Sequence, residues 1–220
     1  MQTSVFRSVF LFLFALTSFS LSAQDAKYYI TQGDNYYSAR DYANAINSYT
    51  QALSVDPNNA SAYNKRGFTL LNQDRKNVDK AMEDFNQALL INPRYAAAHN
   101  NLAWGFDIKN QLKNAYTEYS EAIGLDKNNA QYLSRRGYIL YKMGDYCNAA
   151  LDFTNSLSID PTKDDVWNNR ARAYLKKNEF DSAIADLDAA IRLKPDNSGY
   201  YNNRGLGYNY LGEYEKAIAD

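Results

Sequence analysis

The side chains best suited to nucleophilic catalysis occur once each in this chain of 220 residues, as Cys147 and His99. A thiol attacks a carbonyl group readily when a nearby base removes its proton, so the two residues would have to meet in space. They are 48 residues apart and stand at different positions of a repeating pattern. Neither a cysteine protease pair nor a zinc site of familiar spacing is indicated. We expect His99 to lie in a helix interface and Cys147 to be a small packed residue, an intermolecular disulfide or a reactive thiol being the alternative.

Acidic side chains are numerous enough for acid–base catalysis, but they recur at regular places along the chain. Recurrence is typical of solvated helix faces and salt-bridge partners, whereas general acid–base catalysis needs one particular pair of groups. The carboxylates considered are Asp152, Asp186, Asp188 and Glu118. Glycine-rich phosphate-binding motifs do not occur, and Gly205-Leu206-Gly207 belongs to the repeating pattern. We therefore predict that the chain is not an enzyme and that it uses no cofactor and no metal.

The overall charge is close to neutral, with 24 Lys and Arg residues against 25 Asp and Glu residues and a formal net charge of −1. A balanced charge gives no general attraction to nucleic acid or to an anionic membrane. The basic pairs Arg135-Arg136 and Lys176-Lys177 are too short to change this. Hydrophobic residues make up 45% of the chain and aromatic residues 15%, which is enough to fill interfaces between helices. We therefore expect a folded chain with no nucleic-acid partner.

Four prolines divide the chain into units of nearly one length. Their spacings of 36, 68 and 34 residues fit a period of 34 with a two-residue insertion near Asn77, and Lys127 fills the place of a missing proline. The prolines are Pro57, Pro93, Pro161 and Pro195. A unit of this length suits two short helices, which cannot bury their apolar faces without stacked neighbours. Function is therefore expected on a surface of the array.

Side chains of matched size recur at fixed positions of each unit. In the first half a small residue has large residues four places before it and three places after it, so the three share one helical face. In the second half an alanine precedes a large residue by four places. The small residues are Gly33, Gly67, Ala103, Gly137, Ala171 and Gly205, and the alanines are Ala45, Ala81, Ala115, Ala149, Ala183 and Ala217. Each unit is predicted to be helix, turn, helix, with Gly144 and Gly212 ending helices in a left-handed conformation.

This pattern resembles the tetratricopeptide repeat (TPR), whose aromatic, small, alanine and proline positions nearly every unit matches. The resemblance implies an all-α fold, a right-handed superhelical solenoid of antiparallel helix pairs in which first helices line a concave groove. It also implies peptide or protein partners and little chemistry. Departures from the family occur at His99, Leu133, Lys127 and Ser156. The array is placed at residues 24–220, with five full repeats and a partial sixth at about 26–59, 60–95, 96–129, 130–163, 164–197 and 198–220.

Candidate ligand contacts stand on the first helices, beside the packing positions. Asparagine recurs there although it favours helix caps and turns over helix interiors. Its amide both donates and accepts, so it can hold the backbone of an extended peptide of any sequence. Asn101, Asn169 and Asn203 fill a position where peptide-binding family members carry asparagine, and Arg135 fills it in the fourth unit. The alternative is that these amides hydrogen-bond neighbouring helices or water.

Aromatic and basic side chains continue the same face. Phe68, Trp104 and Tyr138 stand in successive units, Arg172 follows, and the rings could receive apolar side chains of a ligand. The alternative is that they pack against the adjacent unit. The predicted peptide-binding residues are Asn64, Phe68, Asn101, Trp104, Arg135, Tyr138, Asn169, Arg172 and Asn203.

A variant of the family grips a C-terminal carboxylate with lysine or arginine residues and asparagines from three units, and its pattern is only partly present. Asn101 and Arg135 fit this clamp, but Phe68 and Gln131 stand where an asparagine and a lysine are expected. We therefore do not predict an adaptor for chaperone tails.

The first 23 residues are typical of a secretory signal peptide. Arg7 is their only charged residue, an apolar run follows at residues 9–16, and Leu21-Ser22-Ala23 offers a small residue at the cleavage position. The run is shorter than the roughly 20 residues of a membrane-spanning helix. We expect cleavage after Ala23 and export to the periplasm or the cell exterior, with an uncleaved anchor as the alternative.

The sixth unit ends at Asp220, before its second helix is complete, so more repeats or another domain are expected to follow. The leading hypothesis is a non-enzymatic scaffold of the cell envelope that binds a peptide or protein in its groove. Alternatives are an accessory region of a longer chain, with an enzymatic or export-assembly domain beyond residue 220, and self-association through exposed aromatic residues.

Overall fold

The computed structural model describes residues 24–220, which are helical apart from the turns. The predicted signal peptide, residues 1–23, lies outside the described residues. The described part of the chain divides into two compact units on either side of the boundary between Lys109 and Asn110, so the third repeat gives its first helix to one unit and its second helix to the other. No helix within residues 24–220 combines the length and the apolar character needed to cross a membrane.

Each unit is a succession of helices, and within a unit every helix packs on the next one along the chain. The first unit contains α1 (24–38), α2 (Tyr42–Val55), α3 (Ala60–Gln73), a 3-10 turn at Arg75–Asn77, α4 (Val78–Ile91) and α5 (Ala96–Ile108). The second contains α6 (Leu112–Leu125), α7 (Ala130–Lys142), α8 (Tyr146–Ile159), α9 (Asp164–Lys176), α10 (Phe180–Leu193), α11 (Ser198–Leu211) and α12 (Tyr214–Ala219). The predicted all-α fold of helix pairs is confirmed.

The turns within repeats use left-handed residues to stop the first helix. Gly144 and Gly212 have φ values of 85° and 77°, as predicted, and a glycine adopts this conformation without steric cost. Arg40, Asn110 and Asn178 occupy the equivalent position in three other repeats with φ between 55° and 61°. The second repeat instead uses the 3-10 turn, which accommodates the two extra residues predicted near Asn77.

The small residues of the first helices permit close contact with the second helices. A Cβ atom on Gly67 would lie 2.7 Å from the ring of Phe85 and 2.9 Å from the carbonyl oxygen of Ala81. A Cβ atom on Gly137 would lie 3.0 Å from the ring of Phe153. The predicted alanines of α2, α4, α6, α8 and α10 are fully buried. The size pattern of the sequence therefore corresponds to the helix interface within each repeat.

A recurring arginine, which the sequence analysis did not single out, joins three helices in four repeats. We call Arg66, Arg136, Arg170 and Arg204 the repeat arginines. Each binds both carboxylate oxygens of an aspartate on the second helix of its own repeat or, for Arg204, directly after that helix, at N–O distances of 2.7 to 2.9 Å for the first three. Each also donates to a side chain on the second helix of the preceding repeat. These pairs are Arg66 with Asp84 and Thr50, Arg136 with Asp152 and Ser120, Arg170 with Asp186 and Thr154, and Arg204 with Asp220 and Asp188.

The spacing of these partners follows the repeat. Both partners are 16 residues away along the chain, except that Asp84 follows Arg66 by 18 because the two-residue insertion lies between them. Hydrogen bonding to Asp84 raises the pKa of Arg66, so its guanidinium stays charged. Asp152, Asp186 and Asp188 are therefore salt-bridge partners, one of the two roles predicted for the recurring carboxylates.

The aromatic position of the first helix contacts the proline turn that precedes it. Trp167 donates from Nε1 to the carbonyl oxygen of Pro161 at 2.9 Å, and Tyr201 donates from its hydroxyl to Pro195 at 3.0 Å. His99 makes the same contact, with Nε2 lying 3.1 Å from the carbonyl oxygen of Pro93. His99 thus lies in a helix-to-turn interface, as predicted.

The prediction that Cys147 is packed is wrong, because Cys147 is exposed on α8. Residues along a helix turn by about 100° each, so Cys147 points roughly opposite to the fully buried Ala149, two residues on. The sequence pattern located the buried alanine correctly, but it did not specify the orientation of its neighbour.

Candidate functional site

Two predicted ligand-binding asparagines lie in the seam between α3 and α5 and bind each other. Asn101 donates from Nδ2 to Oδ1 of Asn64 at 2.9 Å, and Asn100 donates to Oδ1 of Asn101 at the same distance. The exposed fractions of Asn64 and Asn101 are 7% and 6%. A buried amide loses stability when its partner is removed, so these side chains fix the spacing of the two helices. This is the inter-helix alternative of the sequence analysis.

A second bridge of the same kind occurs between α9 and α11. Asn203 donates from Nδ2 to Oδ1 of Asn168 at 2.8 Å, and the two residues hold the same repeat positions as Asn101 and Asn64. Asn203 is half-buried, so part of its amide still faces solvent. The bridge joins the first helices of neighbouring repeats.

The bridge is absent between α7 and α9, where the position of Asn64 is taken by Ser134. The hydroxyl of Ser134 donates to the carbonyl oxygen of Gln131, within its own helix. Asn169, which would have been the second partner, accepts a long hydrogen bond of 3.4 Å from Arg172. A cleft of about 520 Å³ opens at this end of the two helices, lined in part by Ser134, Gln131 and Asp165. Asn169 is therefore not part of an asparagine bridge, and its amide oxygen faces Arg172, another predicted site residue.

Aromatic rings form a continuous row across three first helices of the first unit. The ring centroids of Tyr37 and Phe68 are 5.7 Å apart, and those of Phe68 and Trp104 are 5.9 Å apart. We call Tyr37, Phe68 and Trp104 the aromatic row. Phe68 and Trp104 are half-buried against a core that includes Leu71 and Leu102. Packing against the adjacent repeat, the alternative for these rings, thus accounts for the buried part of each side chain, and the rest of its surface is exposed to solvent.

The electrostatic setting of the aromatic row is nearly neutral. Burial, with a smaller effect of Tyr42, raises the pKa of Tyr37, so its hydroxyl is protonated at physiological pH. Lys65 binds both carboxylate oxygens of Asp34 on the neighbouring helix at 2.7 and 2.8 Å, which cancels both charges. The row therefore offers apolar area and one hydroxyl group, that of Tyr37, beside an ion pair whose charges cancel.

The remaining predicted residues lie on α7 and α9 of the second unit. Tyr138 is exposed over 38% of its surface, and the ammonium of Lys142 lies 5.9 Å from its ring centroid. The guanidinium of Arg172 lies over the ring of Tyr141, 4.8 Å from its centroid. Arg135 is half-buried on the same face of α7. The structure thus brings together Tyr141, Asn169 and Arg172, with Tyr138 three residues before Tyr141 on α7. Phe68 and Trp104 lie next to each other in the other unit.

The helix pairs, their left-handed turns and the small-residue contacts define a protein built from stacked helix-turn-helix repeats. Sequence profiles of one family match most of these repeats: a profile described as TPR repeat matches residues 33–74, and profiles described as tetratricopeptide repeat match residues 60–95, 130–163 and 164–197. Together the matches cover more than half of the chain. The chain belongs to the tetratricopeptide repeat family, as the resemblance predicted.

Curated relatives share only a short stretch with this chain. Mouse DnaJ homolog subfamily C member 7 is 44% identical over 48 residues, which is 22% of this chain and 10% of the relative. Human serine/threonine-protein phosphatase 5 is 44% identical over 41 residues, which is 19% of this chain and 8% of the relative. The chain thus matches about a tenth of the length of these proteins.

Solved structures match over much more of the chain, at low sequence identity. The structure described as PilF of Pseudomonas aeruginosa superposes with a TM-score of 0.80 over 90% of this chain and 89% of its own, at 19% identity. YrrB, described as a TPR protein with an unusual peptide-binding site, has a TM-score of 0.67 over 78% of this chain and 87% of its own, at 18% identity. These similarities establish the fold.

Proposed function

We propose that this chain is a non-enzymatic scaffold of the cell envelope that holds a peptide segment of a partner protein against its first helices. The observation that carries the proposal is the aromatic row, in which three half-buried rings stand next to one another on successive first helices. TPR proteins are in general non-catalytic scaffolds, and YrrB is described as having a peptide-binding site. Both support a role in protein interaction.

The aromatic row suits an apolar ligand for a physical reason. A half-buried ring has few rotamers left to lose, so little conformational entropy opposes binding. Large aromatic side chains also supply much of the binding energy in protein interfaces. Phe68 and Trp104 each present a ring at a helix surface, about 6 Å apart, so that one apolar ligand side chain can touch both. We infer that an apolar residue of the partner binds here.

The asparagine bridges make a different contribution. Asn64 and Asn101 hold α3 and α5 at the separation that the row requires, and Asn168 and Asn203 hold α9 and α11. The remaining predicted residues, Arg135, Tyr138, Asn169 and Arg172, are proposed to contact the ligand in the second unit. The ligand contacts proposed in the first unit are the rings.

Replacing Trp104 with leucine is expected to weaken peptide binding about tenfold or more, because leucine keeps the contact with the core and removes the ring face. The measurement uses a random-sequence peptide array probed with the purified chain, followed by affinity titration of the captured peptides. The matched control is Tyr36→Leu, which removes an exposed ring from α1 outside the row. Equal affinity of the Trp104→Leu variant and the native chain, or an array without captured peptides, would contradict the proposed function.

Export rests on residues 1–23 of the sequence, whose single arginine, apolar run and small residues at the end favour a cleaved signal peptide. Expression of the full chain in a Gram-negative host is expected to yield a periplasmic protein that begins at Gln24. Intact-mass spectrometry of the periplasmic fraction measures this directly. A mass that retains residues 1–23, or recovery from the cytoplasm alone, would refute export.

A further inference from the structure

The second unit carries two basic side chains on α9, Arg172 and Lys176, for which no contact with a carboxylate is recorded among the described residues. Arg172 and Lys176 are one helical turn apart, so they share one face of α9. The recorded contacts of Arg172 are with the ring of Tyr141 and the amide oxygen of Asn169, both of which are neutral. Lys176 is exposed. We call Arg172 and Lys176 the basic pair.

The helices on both sides of the basic pair carry no acidic residue. Neither α7 (Ala130–Lys142) nor α11 (Ser198–Leu211) contains Asp or Glu, and α7 adds Arg135 and Lys142 on the same side. In α9 itself the acids are Asp164 and Asp165 of the first turn. Asp165 is seven residues from Arg172, which is roughly 10 Å along the axis and about one Debye length at 0.1 M salt. The acids of the turns that follow these helices have other partners, since Asp145 caps α8, Glu179 pairs with Lys177 and Glu213 pairs with Lys216. The three first helices themselves therefore carry more basic than acidic side chains.

The contrast with the repeat arginines of the same unit is informative. Arg136 and Arg170 bind Asp152 and Asp186 through paired hydrogen bonds on the side of the helix that faces the second helices. Arg172 stands two residues after Arg170, so it points to the other side of α9, where a neutral ring supports it. A guanidinium has five N–H donors, and those of Arg172 not used by Asn169 are suited to a carboxylate.

Apolar side chains flank the basic pair on both neighbouring helices. Tyr138 on α7 is 38% exposed, and Leu206 on α11 is 42% exposed. Both hold the repeat position that Arg172 holds on α9, since each is 34 residues from it. Neighbouring helix axes are roughly 8–10 Å apart, a distance that an extended peptide covers in about three residues. The arrangement therefore fits an acidic stretch with an apolar residue on either side.

We propose that the face formed by α7, α9 and α11 binds an acidic segment of a partner protein, with carboxylates on Arg172 and Lys176 and apolar side chains on Tyr138 and Leu206. The proposal rests on the proposed function, because it names the chemistry of the ligand in the second unit. Charge complementarity of this kind chiefly sets specificity and the rate of association. The segment is internal to the partner chain, so no free carboxyl terminus is required.

The experiment measures fluorescence anisotropy of a short labelled peptide, capped at both ends, with a leucine at each end and glutamates between them. Two further probes replace every glutamate with glutamine or with lysine. The native chain is expected to bind the glutamate peptide about fivefold to tenfold more tightly than the glutamine peptide at about 50 mM salt. This preference is expected to shrink strongly at about 500 mM salt, where exposed charges are screened.

Two variants test the assignment. Arg172→Gln with Lys176→Gln is expected to abolish the preference for glutamate, and the single reversal Lys176→Glu, at an exposed residue, is expected to reduce it without affecting the fold. The matched control is Lys127→Gln with Lys194→Gln, which removes the same charge from exposed turns and should keep the preference. Equal binding of the glutamate and glutamine peptides by the native chain would overturn the proposal, as would a preference that survives in both basic-pair variants.

Other anionic ligands give distinguishable outcomes. If a single-stranded oligonucleotide or phosphatidylserine vesicles bind more tightly than the glutamate peptide and are lost in the same variants, the acidic-segment proposal is wrong. If the glutamate preference is absent while capture on the peptide array still depends on Trp104, the proposed function stands without it. If both assays fail, the proposed function fails as well.

Discussion

Replacing Phe153 with alanine is expected to lower the free energy of unfolding by about 3–5 kcal/mol. Phe153 has no exposed surface, and its ring contacts Gly137 of the first helix in the same repeat. It lies in a core cluster with Leu140, Leu157 and Val166, which belong to three different helices. Alanine would leave a cavity in a rigid interface, because the glycine opposite has no side chain to fill it.

The measurement is urea denaturation followed by circular dichroism at the helix band. Leu151→Ala is the matched control, because Leu151 lies on the same helix α8 and is 56% exposed. That substitution is expected to change the unfolding free energy by less than about 0.5 kcal/mol. Similar losses in the two variants would show that the interface tolerates the cavity, contrary to the packing described.

Replacing Asp186 with alanine is expected to cost about 3–5 kcal/mol, because it leaves the guanidinium of Arg170 among buried groups without its carboxylate. The side chains of Arg170 and Asp186 are 14% and 7% exposed, and the guanidinium also lies 4.8 Å from the ring centroid of Trp167. Burial raises the pKa of Asp186, and the hydrogen bond from Arg170 opposes that shift. The hydrogen bond from Arg170 thus favours the charged form of Asp186, and the carboxylate in turn neutralises a guanidinium that stays charged in any case.

Two comparisons separate the buried pair from an ordinary ion pair. Asp79→Ala breaks the pair with Lys109, whose side chains are 72% and 36% exposed, and is expected to cost less than about 1 kcal/mol. The double variant Arg170→Met with Asp186→Leu removes both charges and is expected to recover most of the stability that Asp186→Ala loses. The melting temperature and the urea midpoint measure the stability of each variant. A double variant as unstable as Asp186→Ala would mean that shape, and not the unpaired charge, causes the loss.

The helix pairs could be predicted from the sequence because repeated packing positions tolerate few residue types. Gly67 and Ala81 are small where the structure brings α3 and α4 into contact, and the same choice recurs in the other repeats. The two extra residues near Asn77 were located because the period shifted there, and they form a 3-10 turn. Periodicity therefore specifies which helices meet and where the turns lie.

The candidate site was less predictable because it depends on side-chain partners between repeats. Asn101 bonds Asn64 across 37 residues, and nothing in a single repeat distinguishes an amide in a helix seam from an amide that faces a ligand. The useful signal was a pair of asparagines in neighbouring repeats, the second standing one position later in its repeat than the first, as Asn64 and Asn101 do. Ser134 breaks this pairing, and Asn169 then turns to Arg172.

The ion pairs of the repeat arginines have a sequence pattern from which they could have been predicted. Arginine is followed by aspartate at a constant interval of 16 residues in three repeats, and by 18 in the repeat that carries the insertion. A carboxylate that recurs at a fixed interval from an arginine indicates an ion pair between two helices of one repeat. The recurrence of the carboxylates alone predicted either solvated faces or salt bridges, and only their interval from the arginines distinguishes the two.

Each repeat arginine bonds to one side chain before it and one after it in the sequence, and this arrangement affects how the number of repeats can change. Each arginine finds one partner 16 residues before it and another after it, so a segment of one period contains the complete pattern wherever it is cut. Duplication or deletion of such a segment within the part of the chain that carries these arginines would leave each of them facing an equivalent acceptor. The array can therefore gain or lose repeats through gene rearrangement without a new interface having to arise by point mutation.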